Sequence, residues 1–354
     1  MIAVDKRWSV LLVSCLALGL TGCGSKSGEK SASTGKDGGG KKVVLQVEGS
    51  DTMVNLAQAW AERYSEKHPD VQVQVSGGGS GVGIASLING VVDIANASRK
   101  MKAREVSLMK ENTGKEPVEF IVGRDALAIY VHKDNPIETI SIGELADIYG
   151  DGGQTTTWGQ LGIENSGCDS GEITRVSRQN NSGTYVYFRE AVLDKNDFKL
   201  GSIDQSGSKD VVSLVSTTPC AIGYSGMGYA TDDVKMVPVA TAKGEAGIAP
   251  TVENAASGAY PIARPLHIYT AGQPTGAVKD YLDWIMSAEG QQIVLEMGYV
   301  PISEIGSAEQ TEEPAESAAS AEAVPEEAAP AAESAAVNES SAESETSAPA
   351  ESSN

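Results

Sequence analysis

The sequence predicts an α/β fold with a largely parallel sheet. β-rich runs alternate with amphipathic helical runs, and each strand passes through a turn rich in Ser, Thr and Gly into the helix that follows it. The first such unit is Val43 to Val47, which breaks at Glu48 to Thr52 and enters a helix with Met53, Leu56, Trp60 and Tyr64 on one face. Lys67, His68 and Pro69 end that helix. The second strand, Val71 to Val75, alternates apolar and polar as a half-buried strand does. It leads through Ser76 to Gly83 into a helix carrying Ile84, Leu87 and Ile88. A third strand is predicted at Val91 to Ala95, delivering Asn96, Ala97, Ser98 and Arg99.

In sheets of this kind ligands collect at the carboxyl ends of strands, where the following helices begin. Each of these strand ends carries a hydroxyl beside glycine or in a turn: Ser50 and Thr52, Ser80 with Gly81, and Ser98. A fourth such place lies in the middle of the chain. The run R-Q-N-N-S-G-T from Arg178 to Thr184 precedes a helical pattern of Val186, Phe188, Ala191 and Val192, so Ser182, Gly183 and Thr184 form that helix's first turn. A helix start offers unpaired N–H groups and the positive end of a dipole, and an arginine fork matches phosphate, sulfate or carboxylate oxygens. Each turn alone is what any helix cap uses. Four in succession point to one small anion.

The chain has 354 residues, 40% hydrophobic, enough for about two domains. Its net charge of −21 argues against nucleic acid or an anionic membrane surface as a partner. Twelve Glu and no Lys or Arg lie between Ser307 and Asn354, so the tail supplies more than half of that excess. Residues 306–354 are Ala, Glu, Ser and Pro with Val324 and Val337 as the sizeable apolar side chains, and are expected to form a disordered acidic tail.

Residues 1–23 read as a targeting segment. Lys6 and Arg7 precede an apolar stretch from Trp8 to Leu20, and L-T-G-C closes it at Cys23. Small residues before a cysteine resemble the bacterial lipobox, which implies export and lipidation of Cys23, with a plainly cleaved signal or a short anchor helix as alternatives. Residues 24–41 read as a flexible Ser/Gly/Lys linker. Cys168 and Cys220 then remain as a pair in an oxidising compartment, expected to be bridged, with two buried free thiols as the alternative. His68, His132 and His267 lack companions at ligand spacing, so no metal and no cofactor is expected. The glycine run Gly79 to Gly83 satisfies neither G-x-G-x-x-G nor a phosphate-binding G-K-[ST] loop, and no serine sits in a G-x-S-x-G elbow with a histidine partner.

Taken together, G-S-D-T-M at Gly49 to Met53, G-S-G at Gly79 to Gly81, D-I-A-N-A-S-R at Asp93 to Arg99, R-Q-N-N-S-G-T at Arg178 to Thr184 and A-I-G-Y at Ala221 to Tyr224 resemble the phosphate-binding lipoproteins of bacterial phosphate ABC transporters, the PstS family. The likeness continues through Ile142 to Tyr149, Trp158 to Gly162, Tyr260 to Leu266 and Tyr281 to Met286.

The resemblance implies a two-lobed periplasmic-binding-protein fold of the second type with two hinge strands, near Gly123 to Tyr130 and Tyr260 to Leu266. Residues 42–122 and 262–305 would form lobe 1 and residues 123–261 lobe 2. Phosphate would be held by Thr52, Met53, Ser80 and Ser98 from the first lobe and by Arg178, Ser182, Gly183 and Thr184 from the second. Some members of the family carry an aspartate after the third strand to accept the ligand's proton. Ser98 stands there in this chain, which leaves Asp51 and Asp125 as candidate acceptors. The implied partners are inorganic phosphate, the permease subunits of an ABC importer and, through Cys23, the membrane, with the protein acting as a monomer and not as an enzyme. Another oxyanion such as sulfate or molybdate, or a sensor or secreted enzyme on the same fold, is the competing expectation.

Overall fold

The computed structural model describes residues 42–302. The signal segment with Cys23, the linker 24–41 and the tail 306–354 lie outside the described residues.

The chain begins with β1 (Val43–Gly49), a single 3-10 turn at Asp51–Met53 and α1 (Val54–Lys67), followed by β2 (Val71–Gly78), α2 (Ser80–Ile88), β3 (Ile94–Ala97) and α3 (Ala103–Thr113). The long strand β4 (Pro117–His132) leads to β5 (Ile140–Ser141), α4 (Ile142–Tyr149), β6 (Thr174–Arg178), α5 (Gly183–Ala191), β7 (Ile203–Gln205) and α6 (Ser208–Ser216). Next come β8 (Ala221–Gly226), β9 (Val234–Val237), β10 (Val239–Ala240) and α7 (Val252–Ala256), and then β11 (Ala263–Ala271), α8 (Gly276–Ile285) and α9 (Ala288–Glu296).

Among the described residues nine strands share one sheet in the order β2-β1-β3-β11-β4-β8-β6-β7, with β9 also on β4, while β5 and β10 pair separately. The sheet has two halves. In the first, β1 runs parallel to β2 and β3, and in the second, β6 runs parallel to β7 and β8. The strands joining them, β4 and β11, are antiparallel to their neighbours, so the sheet is mixed. β4 changes partner midway: Pro117 to Ala126 pair with β11, and Leu127 to Val131 pair with β8. Its residues from Val122 to Val131 are buried except Arg124, since this crossing is covered on both faces.

The first helix buries Leu56, Trp60 and Tyr64 as its spacing predicts, with Met53 buried one residue ahead of it. The third strand differs from the predicted Val91 to Ala95. It runs from Ile94 to Ala97, all four residues buried between β1 and β11. Val91 is 67% exposed, and Asp93 accepts the Gln46 N–H through its carboxylate at 2.8 Å, so pairing with β1 starts only at Ile94. The apolar run thus begins three residues before the strand does.

Behind the second half, Phe188 stacks on Tyr224 at 4.0 Å between ring centroids and Tyr149 meets both edge-on. Tyr224 in turn shares a 2.7 Å hydrogen bond with Ser177, next to Arg178, so this aromatic block fixes the end of β6. Cys168 and Cys220 form a disulfide that ties the loop before β6 to the start of β8. Among the described residues no helix is long and apolar enough to cross a membrane, and no group of His, Cys, Asp and Glu is placed to hold a metal ion.

Candidate anion site at the junction of the two halves

Strand ends from both halves deliver hydroxyls to one point. Thr52 comes from the turn after β1, Ser80 opens α2, Ser98 follows β3, and Thr184 lies in the first turn of α5; all four are buried. Thr52 Oγ1 and Thr184 Oγ1 are 2.8 Å apart, and Ser80 Oγ is 3.4 Å from Ser98 Oγ. Gly183 packs so close to that pair that a Cβ there would collide with both serine hydroxyls. Gly79 has φ +92°, which glycine adopts freely, and lies against the Asn181 carbonyl. Gly81 N–H donates to that carbonyl at 3.0 Å and Asn181 Nδ2 donates to the Gly78 carbonyl at 2.9 Å, so the two glycine-bearing turns are in backbone contact.

Several predicted donors are already engaged. Ser182 caps α5, its Oγ accepting the Thr184 N–H at 3.1 Å and the Tyr185 N–H at 3.5 Å. Ser80 Oγ accepts the Ser98 N–H at 3.0 Å, and Met53 N–H donates to the Ser50 carbonyl within its own turn. Tyr299 and Tyr229 brace that turn by donating to the carbonyls of Thr52 and Asp51 at 2.7 and 2.6 Å.

Arg178 is 1% exposed. Its Nη2 donates to Asp51 Oδ2 at 2.9 Å and to the Ser206 carbonyl at 2.8 Å, and its Nη1 donates to Ser208 Oγ at 3.0 Å, while its buried Nε has no partner among the described residues. Burial lowers the guanidinium's pKa, and Asp51 opposes that effect. None of its hydrogen bonds goes to the hydroxyl cluster.

A second arginine, which the sequence patterns left without a role, reaches that cluster. Arg264 on β11 is also 1% exposed, with Nη2 3.2 Å from Thr52 Oγ1 and 3.0 Å from Thr184 Oγ1, and Nη1 3.3 Å from the Ser98 carbonyl. Its Nε and Nη2 donate to Asp125 Oδ2 at 3.0 and 2.8 Å. The signal was an arginine within a predicted hinge strand, because a charge buried there has to be paired.

The two candidate proton acceptors therefore each face an arginine. Asp125 is fully buried; its Oδ2 takes both bonds from Arg264 and its Oδ1 takes the Met227 N–H at 3.0 Å. Burial pushes its carboxyl above the usual range, against the pull of Arg264 and of the Met227 amide. Asp51 takes one bond on each oxygen, from Gly78 N–H and from Arg178, and retains 15% side-chain exposure.

Chemically the arrangement offers buried hydroxyl donors with the Arg264 guanidinium against them, and a second buried guanidinium, Arg178, held by Asp51 at the end of β6. A small oxyanion suits such donors.

A family model described as a PBP superfamily domain matches residues 27–289. The phosphate-binding protein PstS of Pseudomonas aeruginosa is 36% identical over 268 residues, covering 73% of this chain and 83% of that protein. PstS of Bacillus subtilis is 32% identical over 304 residues, covering 85% and 95%. A Clostridium perfringens structure, described as a phosphate ABC transporter substrate-binding protein with bound phosphate, matches 73% of this chain and all of its own, with TM-score 0.64 and 30% identity. An ABC-type phosphate transport receptor from Vibrio cholerae matches with TM-score 0.57 and 27% identity, over 72% of this chain and 99% of its own. The fold of two parallel half-sheets joined by crossing strands, the hydroxyl turns at their ends and these relatives together place the chain in the PBP superfamily and, within it, in the family of PstS phosphate-binding proteins.

Proposed function

We propose that the chain is an extracytoplasmic, monomeric substrate-binding protein that captures inorganic phosphate between two lobes and releases it to the permease subunits of an ABC importer. Residues 42–122 and 262–305 are taken as the first lobe and residues 123–261 as the second, with β4 and β11 as the hinge. Cys23 is taken as the lipid anchor and residues 24–41 as the leash. The observation that carries the reading is the convergence of Thr52, Ser80 and Ser98 with Gly183 and Thr184 at the ends of strands from both half-sheets. Thr52 and Met53, Ser80, Ser98, Arg178, Ser182, Gly183 and Thr184 are the proposed ligand set. In it the anion replaces the hydroxyl-to-hydroxyl bond of Thr52 and Thr184 as the common partner of both.

Energetics allow this without catalysis. Hydrogen bonds to a charged ligand contribute about 1.5 to 3 kcal/mol each, so several exceed the roughly 8 kcal/mol of a micromolar complex. The surplus covers desolvation and lost freedom. Binding is reversible and stoichiometric, with no turnover.

Asp51 is the better proton acceptor of the two carboxylates. Each of its oxygens accepts one bond and the side chain retains 15% exposure, whereas Asp125 is fully buried with Oδ2 filled by Arg264 and Oδ1 holding the Met227 N–H. Sulfate brings no proton to share with a carboxylate at this place, so the two would face each other acceptor to acceptor.

Calorimetric titration of protein beginning after residue 23, with phosphate and with sulfate, tests the reading. Saturable one-to-one heat with phosphate and none with sulfate is expected. Arg178→Met abolishes the phosphate signal, and Asp51→Asn narrows the gap between the two anions. Equal affinity for both anions in the parent protein would discard phosphate as the ligand, and silence with both would discard the site.

A further inference from the structure

Resting on the phosphate reading above, we infer that Arg264 is a second guanidinium ligand of the anion, and that it reads the anion's charge. Among the described residues, it is Arg264 and not Arg178 whose fork lies against the hydroxyl cluster. Its Nη2 is 3.2 Å from Thr52 Oγ1 and 3.0 Å from Thr184 Oγ1, and those two oxygens are 2.8 Å from each other. Thr52 follows β1 in the first half-sheet and Thr184 opens α5 beside the second, so one nitrogen meets a hydroxyl from each side of the junction.

The guanidinium is held as a positioned ligand would be. Asp125 Oδ2 takes Nε and Nη2, the Ser98 carbonyl takes Nη1, and the Tyr187 ring lies 5.4 Å from the guanidinium carbon. Asp125 is fixed in turn by the Met227 N–H, and Tyr187 by its own bond to the Ala263 carbonyl at 2.7 Å; the other titratable groups that feel the Arg264 charge include His267, on the same strand and paired with Glu119, and buried Tyr299. Nothing in this frame needs to move for the charge to be presented.

Toward the two threonines, by contrast, Nη2 has neutral partners. A hydroxyl is a weaker acceptor for a guanidinium than an anionic oxygen, and it can rotate to donate instead. An oxygen of the anion that accepts from Thr52 and Thr184 therefore also takes Nη2, exchanging contacts with neutral hydroxyls for one with an anionic oxygen. The consequence is a preference among charge states. Arg178 with Asp51 and Arg264 with Asp125 form two neutral pairs, so the positive field at the ligand comes from how close each fork stands, and a dianion gains more from the second fork than a monoanion does. Phosphate affinity thus rises as the ligand loses its second proton, and Arg264 supplies part of that rise.

The test uses the full chain purified in detergent, titrated with inorganic phosphate across the pH range in which phosphate loses its second proton. Arg264→Lys keeps the charge and loses the fork. Arg264→Met combined with Asp125→Asn removes both buried charges, so neither is left uncompensated. The double variant is expected to lose about 100-fold or more in affinity. Its affinity should also rise less with pH than the parent's. The lysine variant should fall in between. A merely structural role for Arg264 lowers thermal stability and leaves the pH profile of binding unchanged, which separates the two. A folded double variant with the parent's affinity, or with the parent's pH profile, overturns the inference. Should the double variant fail to fold, an Arg264→Lys protein with unaltered affinity and profile does the same. In either case a parent that binds phosphate and an Arg178→Met variant that does not leave the phosphate reading standing, whereas a parent that binds no phosphate removes both.

Discussion

Gly183 shows how a single residue sets how closely the elements of the two half-sheets pack at the junction. Its flanking residues do ordinary work, Ser182 as an N-cap and Thr184 as a helix residue, and an alanine would suit the start of a helix equally well. The reason for glycine is elsewhere in the chain: its Cα lies against Ser80 Oγ and Ser98 Oγ, on elements about a hundred residues upstream. Overpacking there costs on the order of 1 to 3 kcal/mol, and the cheapest relief is for the two sides to part. Gly183→Ala is therefore expected to weaken phosphate binding by roughly fivefold to 150-fold, as 1 to 3 kcal/mol implies, with little change in thermal stability. Calorimetry beside a melting curve checks this, and an alanine variant that binds like the parent shows the contact to be slack. The same contrast marks what was legible at this scale. Thr52, Ser80, Ser98 and Thr184 announce themselves because each follows a strand in a Ser, Thr or Gly turn. Arg264 does not, since its role comes from Asp125, a partner 139 residues away in sequence that only the antiparallel pairing of β11 with β4 brings beside it.

The strands act as rulers between the structural and the binding ends of the second half-sheet. β6 runs from Thr174, which pairs with Ala221 beside the disulfide, to Arg178 at the junction, and β8 runs from Ala221 to Gly226, next to Asp125 and Thr52. At about 3.3 Å per residue, the Cys168–Cys220 bridge lies some 13 to 17 Å from the site. The bridge closes a segment of 52 residues, and the chain-entropy estimate for a loop of that size is about 4 kcal/mol. Cys220 also positions Trp158, whose Nε1 donates to its carbonyl at 3.1 Å. Replacing both cysteines by serine should lower the unfolding free energy by a few kcal/mol, on the order of that estimate, and leave phosphate affinity as it was. Denaturant unfolding together with calorimetry decides the matter, and a loss of affinity matching the loss of stability would show that the bridge governs the site. Element boundaries follow the same logic of distant pairing. β1 and β2 could be read from alternation alone, but β3 begins at Ile94 and not at Val91, because what starts a buried strand is its neighbours, and Val91 and Val92 have none in the sheet.

For the whole molecule, the two halves are joined by continuous strands and meet at the site mainly through polar contacts, among them Gly81 and Gly78 with Asn181, Thr52 with Thr184, Arg178 with Asp51, Tyr229 with the Asp51 carbonyl, and the fork of Arg264. These are polar contacts, each worth little on its own, so an anion that satisfies donors from both sides adds much of the free energy of the closed state. Such a ligand stabilises the fold by mass action, since the unfolded chain does not gather these donors. At a thousandfold excess over its dissociation constant, phosphate should add about 4 kcal/mol, which for a folded region of this size raises the melting temperature by about 10 °C. The overall charge of −21 works against anion binding only at long range and is screened beyond about 8 Å at physiological salt. The shift should therefore persist when sodium chloride is raised, because both arginines are buried. Scanning calorimetry with phosphate, with sulfate and with chloride at matched ionic strength makes the comparison. If sulfate or chloride reproduced the shift, the stabilisation would be a general salt effect, and the buried donors would not be selecting the ligand.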